Sequence, residues 1–135
     1  VRPMPTATIS ASAGSACVGA SSPIITFGNP QTVAVTVAYT INGVAQTVDI
    51  IASGGSTVSV PTTTSGTFIY SLVSANYQST PNCTNAISGS ATVTINPLPT
   101  VTIAQGAVLT LTSGGGIDLT ATASPTATYS YTWYN

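Results

Sequence analysis

Few side chains in this sequence could do chemistry. Asp49 and Asp118 are its only carboxylates, Arg2 is its only cationic side chain, and there is no Glu, Lys or His. General acid–base catalysis draws on His, Glu, Asp, Lys or a perturbed Tyr. The two Asp fall in different halves of the chain, and neither has a partner nearby. A Ser or Thr nucleophile would have no His or Lys to activate it. The residues therefore predict a protein that is not an enzyme. The lack of Lys also rules out an internal Lys–Asn isopeptide staple. Calcium takes about six to eight oxygens, usually several of them from carboxylates. One Asp plus backbone carbonyls is all either half could offer, so no metal and no cofactor is expected.

Two other groups stand out. Cys17 and Cys83 lie near opposite ends of a 96-residue stretch. They read either as two buried thiols or as a disulfide, and the disulfide is the preferred expectation. It would place the chain in an oxidising compartment. Closing a loop of about 66 residues would add roughly 4 kcal/mol in the chain-entropy picture. A zinc site is disfavoured, since two sulfurs without His leave a tetrahedral shell half empty. Tyr129, Tyr131 and Trp133 alternate on one face of a strand pattern. They could stack on sugar rings or mediate assembly, or they could form the apolar face of a core. Repeated Thr-x-Thr pairs, such as Thr92/Thr94 and Thr100/Thr102, could order water or a regular surface. Thr is, however, simply favoured on a wet strand face.

Charge is almost missing from the whole chain, at 2% of residues, with a formal net charge of −1. Ser and Thr, roughly a third of the residues, take its place. Phosphate neutralisation needs Lys and Arg, so nucleic acid is excluded as a partner. An anionic membrane surface finds no attractor for the same reason. Mean hydropathy is positive at +0.42, yet no apolar run approaches the length of a membrane helix, and no membrane insertion is expected. A net charge near zero removes colloidal repulsion and favours association. The first residue is Val and no basic-then-apolar leader opens the sequence. It reads as an excerpt or processed product of a longer protein.

An internal repeat organises the chain. Val1-Arg2-Pro3-Met4-Pro5-Thr6-Ala7-Thr8-Ile9 returns as Ile95-Asn96-Pro97-Leu98-Pro99-Thr100-Val101-Thr102-Ile103, an offset of 94 residues. Two prolines one residue apart fix φ twice and remove two donors. Asn96-Pro97-Leu98-Pro99 is therefore read as a stiff inter-module connector. The predicted organisation is a complete module over 1–96, then a connector and an incomplete second module over 97–135. The missing strands would come from downstream sequence or from a neighbouring chain.

Each segment of the first module has a strand period. Val33, Val35, Val37, Tyr39 and Ile41 alternate with small or polar residues. Asn42-Gly43 then gives a strong hairpin signal, and Val44 to Ile51 returns. Further strands are expected over Thr6 to Ala13, Pro23 to Phe27, Thr57 to Val60, Thr67 to Leu72 and Ile87 to Ile95. Asn76 to Asn85 is read as a polar loop carrying Cys83. Seven or so short strands with regular turn signals predict an all-β fold, an immunoglobulin-like antiparallel β-sandwich. Tyr70 sits where such folds often place a corner tyrosine. Asp49 reads as a solvated strand residue. The predicted core is Ile9, Ile25, Phe27, Val35, Val37, Tyr39, Val48, Ile50, Val58, Val60, Phe68, Tyr70, Leu72, Ile87 and Val93. In the second module, Ile117, Leu119 and Ala121 alternate, and Trp133 falls where a third-strand core tryptophan would sit.

Cys17-Val18-Gly19-Ala20-Ser21-Ser22-Pro23, Tyr39-Thr40-Ile41-Asn42-Gly43, the run Val60 to Leu72, Cys83, and Ser88 to Thr100 together resemble one family. It is the immunoglobulin-like or PKD-like tandem repeats of very large secreted surface proteins of Bacteroidota, of the gliding and type IX-exported adhesin kind. The likeness covers about residues 1–100. It departs from the pattern at Ala75 to Asn82, where such repeats often carry an Asp-rich loop, so no calcium site is carried over. The resemblance implies an extracellular spacer or adhesive repeat without catalytic residues. Its partners would be adjacent repeats or other copies of itself, with surface glycans as the alternative through Tyr129, Tyr131 and Trp133.

Overall fold

A computed structural model describes residues 1–103 and 121–124. Chain contacts divide it into two units, Val1–Asn96 and Pro97–Asn135. In the first, two β-sheets face one another over one apolar core, a β-sandwich with no helix among the described residues.

The smaller sheet contains β1 (Thr8–Ala11), β3 (Ile24–Gly28) and β6 (Gly55–Ser59), in the order β1-β3-β6. The larger runs β2-β9-β7-β4-β5, with β8 also paired to β7. Its members are β2 (Ser15–Cys17), β4 (Val35–Ile41), β5 (Val44–Ile50), β7 (Gly66–Tyr77), β8 (Thr84–Ala86) and β9 (Ser90–Asn96). All pairings in the first unit are antiparallel except β2 with β9, which is parallel. The N-terminal strand thus contributes to both sheets. It pairs with β3 as β1, breaks at Ser12–Gly14, and continues beside β9 as β2.

The alternation seen in the sequence is the mechanism of the fold. In β4, Val35, Val37 and Tyr39 are buried while Thr36, Ala38 and Thr40 lie on the other face. Successive strand side chains point to opposite faces, so one register fixes the whole set. Ile25 and Phe27 answer from the small sheet, fully buried. The Phe27 and Tyr39 rings meet across the sheets with centroids 4.7 Å apart, and Tyr39 stacks near Tyr70 at 6.3 Å. Asn42 (φ 49°) and Gly43 (φ 85°) form the two-residue turn between β4 and β5. Both central residues of that turn need positive φ, which explains the Asn-Gly pair.

Several expectations need correction. The predicted core members Ile9, Val48, Val58, Phe68 and Ile87 are only partly buried, whereas Ala7, Ala75, Tyr77, Ala91 and Ile95 are buried core residues. The small strands β2 and β8 carry too few residues to show a period. The polar stretch from Asn76 is not all loop. β7 runs on to Tyr77, and a register shift between Ala38 and Tyr39 leaves Val73 as an extra residue in β7. That bulge changes which parity points inward, so Ala75 and Tyr77 are buried after Tyr70 and Leu72.

In the second unit, β10 (Thr100–Ile103) pairs antiparallel with β11 (Ala121–Ser124). Adding 94 to the pairs Thr8↔Gly28 and Ile9↔Phe27 gives Thr102↔Thr122 and Ile103↔Ala121, and both of these pairs occur. The repeat in the sequence is thus also a repeat of strand register.

Candidate functional site

The groups singled out by their chemistry are scattered over the first unit. Cys17 ends β2 opposite Asn96, one position beyond the pair Ile95↔Gly66. Cys83 lies at the far end of β7, where its carbonyl accepts a 3.0 Å hydrogen bond from the Tyr77 amide. The twelve residues of β7 separate the two ends, roughly 36 Å at a strand's rise per residue. A disulfide requires Cα atoms within about 7 Å of one another. The expected Cys17–Cys83 bond is therefore corrected: both cysteines are free thiols, Cys17 exposed and Cys83 half-buried. Near and far ends of a sandwich cannot be told apart by counting along the sequence.

Asp49 is exposed on the outer face of the large sheet, but it is not merely solvated. Thr36 Oγ1 donates a 2.6 Å hydrogen bond to Asp49 Oδ1 from the facing position in β4. Asp118, Tyr129, Tyr131 and Trp133 lie outside the described residues. Among the described residues, no three His, Cys, Asp or Glu side chains gather where a metal could bind, and no helix is long and apolar enough to cross a membrane.

What the structure does build is an anchorage at the incoming end of the sandwich. The first Pro-x-Pro segment is packed rather than free, with Pro5 fully buried. Its carbonyls are taken in turn. Tyr77 donates its hydroxyl to Pro3 O at 2.9 Å, Gln31 Nε2 reaches Met4 O at 2.6 Å, and Asn85 Nδ2 reaches Pro5 O at 3.0 Å. The Thr6 amide donates back to Gln31 Oε1 at 3.1 Å. Arg2 lies over the Tyr77 ring at 5.0 Å and donates to the carbonyl and hydroxyl of Ser79. A guanidinium over an aromatic face is held by the ring's quadrupole. The tyrosine that reaches back upstream is thus Tyr77, not the Tyr70 expected as a corner residue.

Asn29 supports the same end. It is the one buried polar side chain among the described residues, at 3% exposure. Its Nδ2 donates to Val33 O and Ile51 O, and its Oδ1 accepts from the Gln31 amide. Buried amides are tolerated when their hydrogen bonds are made. Nothing in the order of the sequence pointed to Asn29, Gln31, Tyr77 or Asn85. Their partners lie up to 80 residues away.

The outgoing end is different. Asn96, Pro97, Leu98 and Pro99 are exposed. Asn96 closes β9, and its carbonyl accepts the Val18 amide at 2.9 Å. Between the ends, the large sheet holds a groove of about 420 Å³ lined by Ala38, Tyr39, Thr40, Ala45, Gln46, Thr47 and Val73. It offers mainly methyls and hydroxyls, with the Gln46 amide beside them. Inside, burial raises the phenol pKa of Tyr39. It does the same for Tyr70, where the neighbouring Tyr39 adds a smaller upward push.

No protein-family model, curated protein or solved structure matches the chain.

Proposed function

We propose that this chain is a structural repeat of an extracellular bacterial surface protein, a non-catalytic spacer in a stalk or fibre. The observation that carries the reading is the placement of the two chain ends of the sandwich. The incoming Pro-x-Pro segment is fixed beside Tyr77, at one end of β7, while the outgoing Asn96 lies by Gly66, at the other. A module with its ends on opposite sides adds its full length to a tandem array, roughly 4 nm for a strand of twelve residues. The first strand's division between two sheets agrees with an immunoglobulin-like module. The repeated register at an offset of 94 agrees with a tandem array. A surface of Ser and Thr with one Arg and no Lys also leaves almost nothing for a basic-specific protease to cut.

Small-angle scattering on chains carrying successive copies of the 94-residue period tests the spacer reading. The maximum dimension should grow by roughly 4 nm per added copy. Growth that follows the cube root of mass, as for a compact globule, would refute it.

A further inference from the structure

The edge of the large sheet at β5 is open. Among the described residues, β5 is hydrogen-bonded to β4 alone. Its register with β4, closed by the Asn42-Gly43 turn, pairs Val44 with Ile41, Gln46 with Tyr39, Val48 with Val37 and Ile50 with Val35. Across a two-residue turn the flanking pair exchanges hydrogen bonds, and hydrogen-bonded pairs then alternate. Those four residues of β5 therefore spend their amides and carbonyls on β4. Ala45, Thr47 and Asp49 point theirs outward, giving three N–H and three C=O groups along the free edge.

Proteins usually blunt such an edge with Lys, Pro, a bulge or a short strand. β5 has no Lys, Pro or bulge, and its one charge, Asp49, is hydrogen-bonded to Thr36 of β4. It is seven residues long, reads VAQTVDI, and pairs with β4 without a break in register. The opposite edge of the same sheet, β2, is only three residues long. Val44, on the core-side face of β5, is 63% exposed.

We propose that β5 pairs antiparallel with β5 of a second copy of this chain, about a two-fold axis at Thr47. The edge is self-complementary in that register alone. Thr47 faces Thr47 of the other copy, and Ala45 faces Asp49 on both sides, so all twelve outward groups pair in six hydrogen bonds. Shifting by two residues either way loses two of the six. A larger shift that sets Asp49 against Asp49 places like charges opposite each other, which is destabilising. On the core-side face, exposed Val44 comes opposite Ile50 of the other copy, and half-buried Val48 comes opposite Gln46. The only ionisable side chain on the strand is Asp49, already hydrogen-bonded to Thr36, so no ion pair has to be broken. The inference stands on the sheet edge and does not need the spacer reading.

The full chain in sedimentation equilibrium should rise from 13.4 kDa to twice that mass with concentration. Thr47→Pro removes the central outward N–H without touching the β4 ladder, a place where an edge strand accepts Pro, and should hold the mass at one copy. Cross-linking tests the register independently of that variant's folding. In a background with Cys17 and Cys83 changed to Ser, Thr47→Cys should form a covalent dimer under a mild copper–phenanthroline oxidant, since facing Cα atoms on such a pair are about 5.5 Å apart. Ala45→Cys alone should not cross-link, whereas an equal mixture of Ala45→Cys and Asp49→Cys should. A pure chain that stays at one copy at every concentration overturns the proposal and leaves the edge to a strand of some other protein. Equal cross-linking of Ala45→Cys and Thr47→Cys overturns the register.

Discussion

The Tyr77 hydroxyl donates to the carbonyl of Pro3, 74 residues earlier in the chain, at 2.9 Å. This bond ties the incoming Pro-x-Pro segment to the end of the longest strand, under the cation of Arg2. A segment whose prolines remove two donors must still satisfy its carbonyls, and here side chains from three distant stretches do so. The first test follows from it. Tyr77→Phe keeps the ring in its buried place and deletes only the hydroxyl. We expect a loss of about 1 kcal/mol, the usual net worth of one hydrogen bond, and faster amide exchange confined to the first residues. Thermal unfolding with hydrogen exchange by mass spectrometry reads both. Uniformly faster exchange across β4 and β7 would mean that Tyr77 supports the core rather than the segment.

Asn29 makes a stronger prediction. Asn29→Ala strips Val33 O of its donor and the Gln31 amide of its acceptor, whereas Ile51 O keeps the Gly54 amide at 3.2 Å. Leaving buried polar groups unpaired costs about 1–3 kcal/mol each before any relaxation. A loss of about 2–4 kcal/mol in a urea titration is expected. A loss under about half a kcal/mol would show that water replaces the amide at no cost.

The two cysteines should behave as separate thiols. Under denaturing, non-reducing conditions a maleimide should add twice per chain. In the folded chain Cys17 should react before Cys83, because it is exposed and Cys83 is half-buried. A reductant should leave the melting temperature where it was. Recovery of a Cys17–Cys83 peptide pair in a non-reducing digest of the monomer would contradict the placement of these residues.

The stability of the fold should fail from the alkaline side. Tyr39 and Tyr70 have raised phenol pKa values, chiefly because burial disfavours the charged form. The folded state then holds these protons more tightly than the unfolded one does. Their contribution is whole below about pH 10, the unfolded value, and is lost as pH rises through the higher folded values. With no His in the chain, histidine titration adds nothing around neutrality. Fluorescence-detected urea unfolding at a series of pH values should show a steep decline only above about pH 10. The double variant Tyr39→Phe, Tyr70→Phe should move that decline to higher pH, and an unmoved decline would assign it to other groups.

Much of this architecture is legible in the residues. Val35, Val37 and Tyr39 announce a strand with one buried face because side chains alternate along extended backbone, and Asn42-Gly43 announces its turn because few residue pairs accept two positive φ values. The absence of Lys, His and Glu limits the chemistry on composition alone. The 94-residue echo of Pro-x-Pro requires no coordinates, although only the paired registers of β1–β3 and β10–β11 show that the echo extends to strand pairing. Tertiary structure decided what depends on contacts across the sheets and between distant segments. One extra residue at Val73 reversed the inward parity of β7 and buried Tyr77. The direction of β7 put Cys17 and Cys83 at opposite ends, too far apart to join. Gln31 and Asn85 found partners at Met4 and Pro5 that no local pattern ties to them. Local periodicity is written in neighbouring residues, whereas the end of a sandwich on which a side chain emerges depends on how every intervening strand turns.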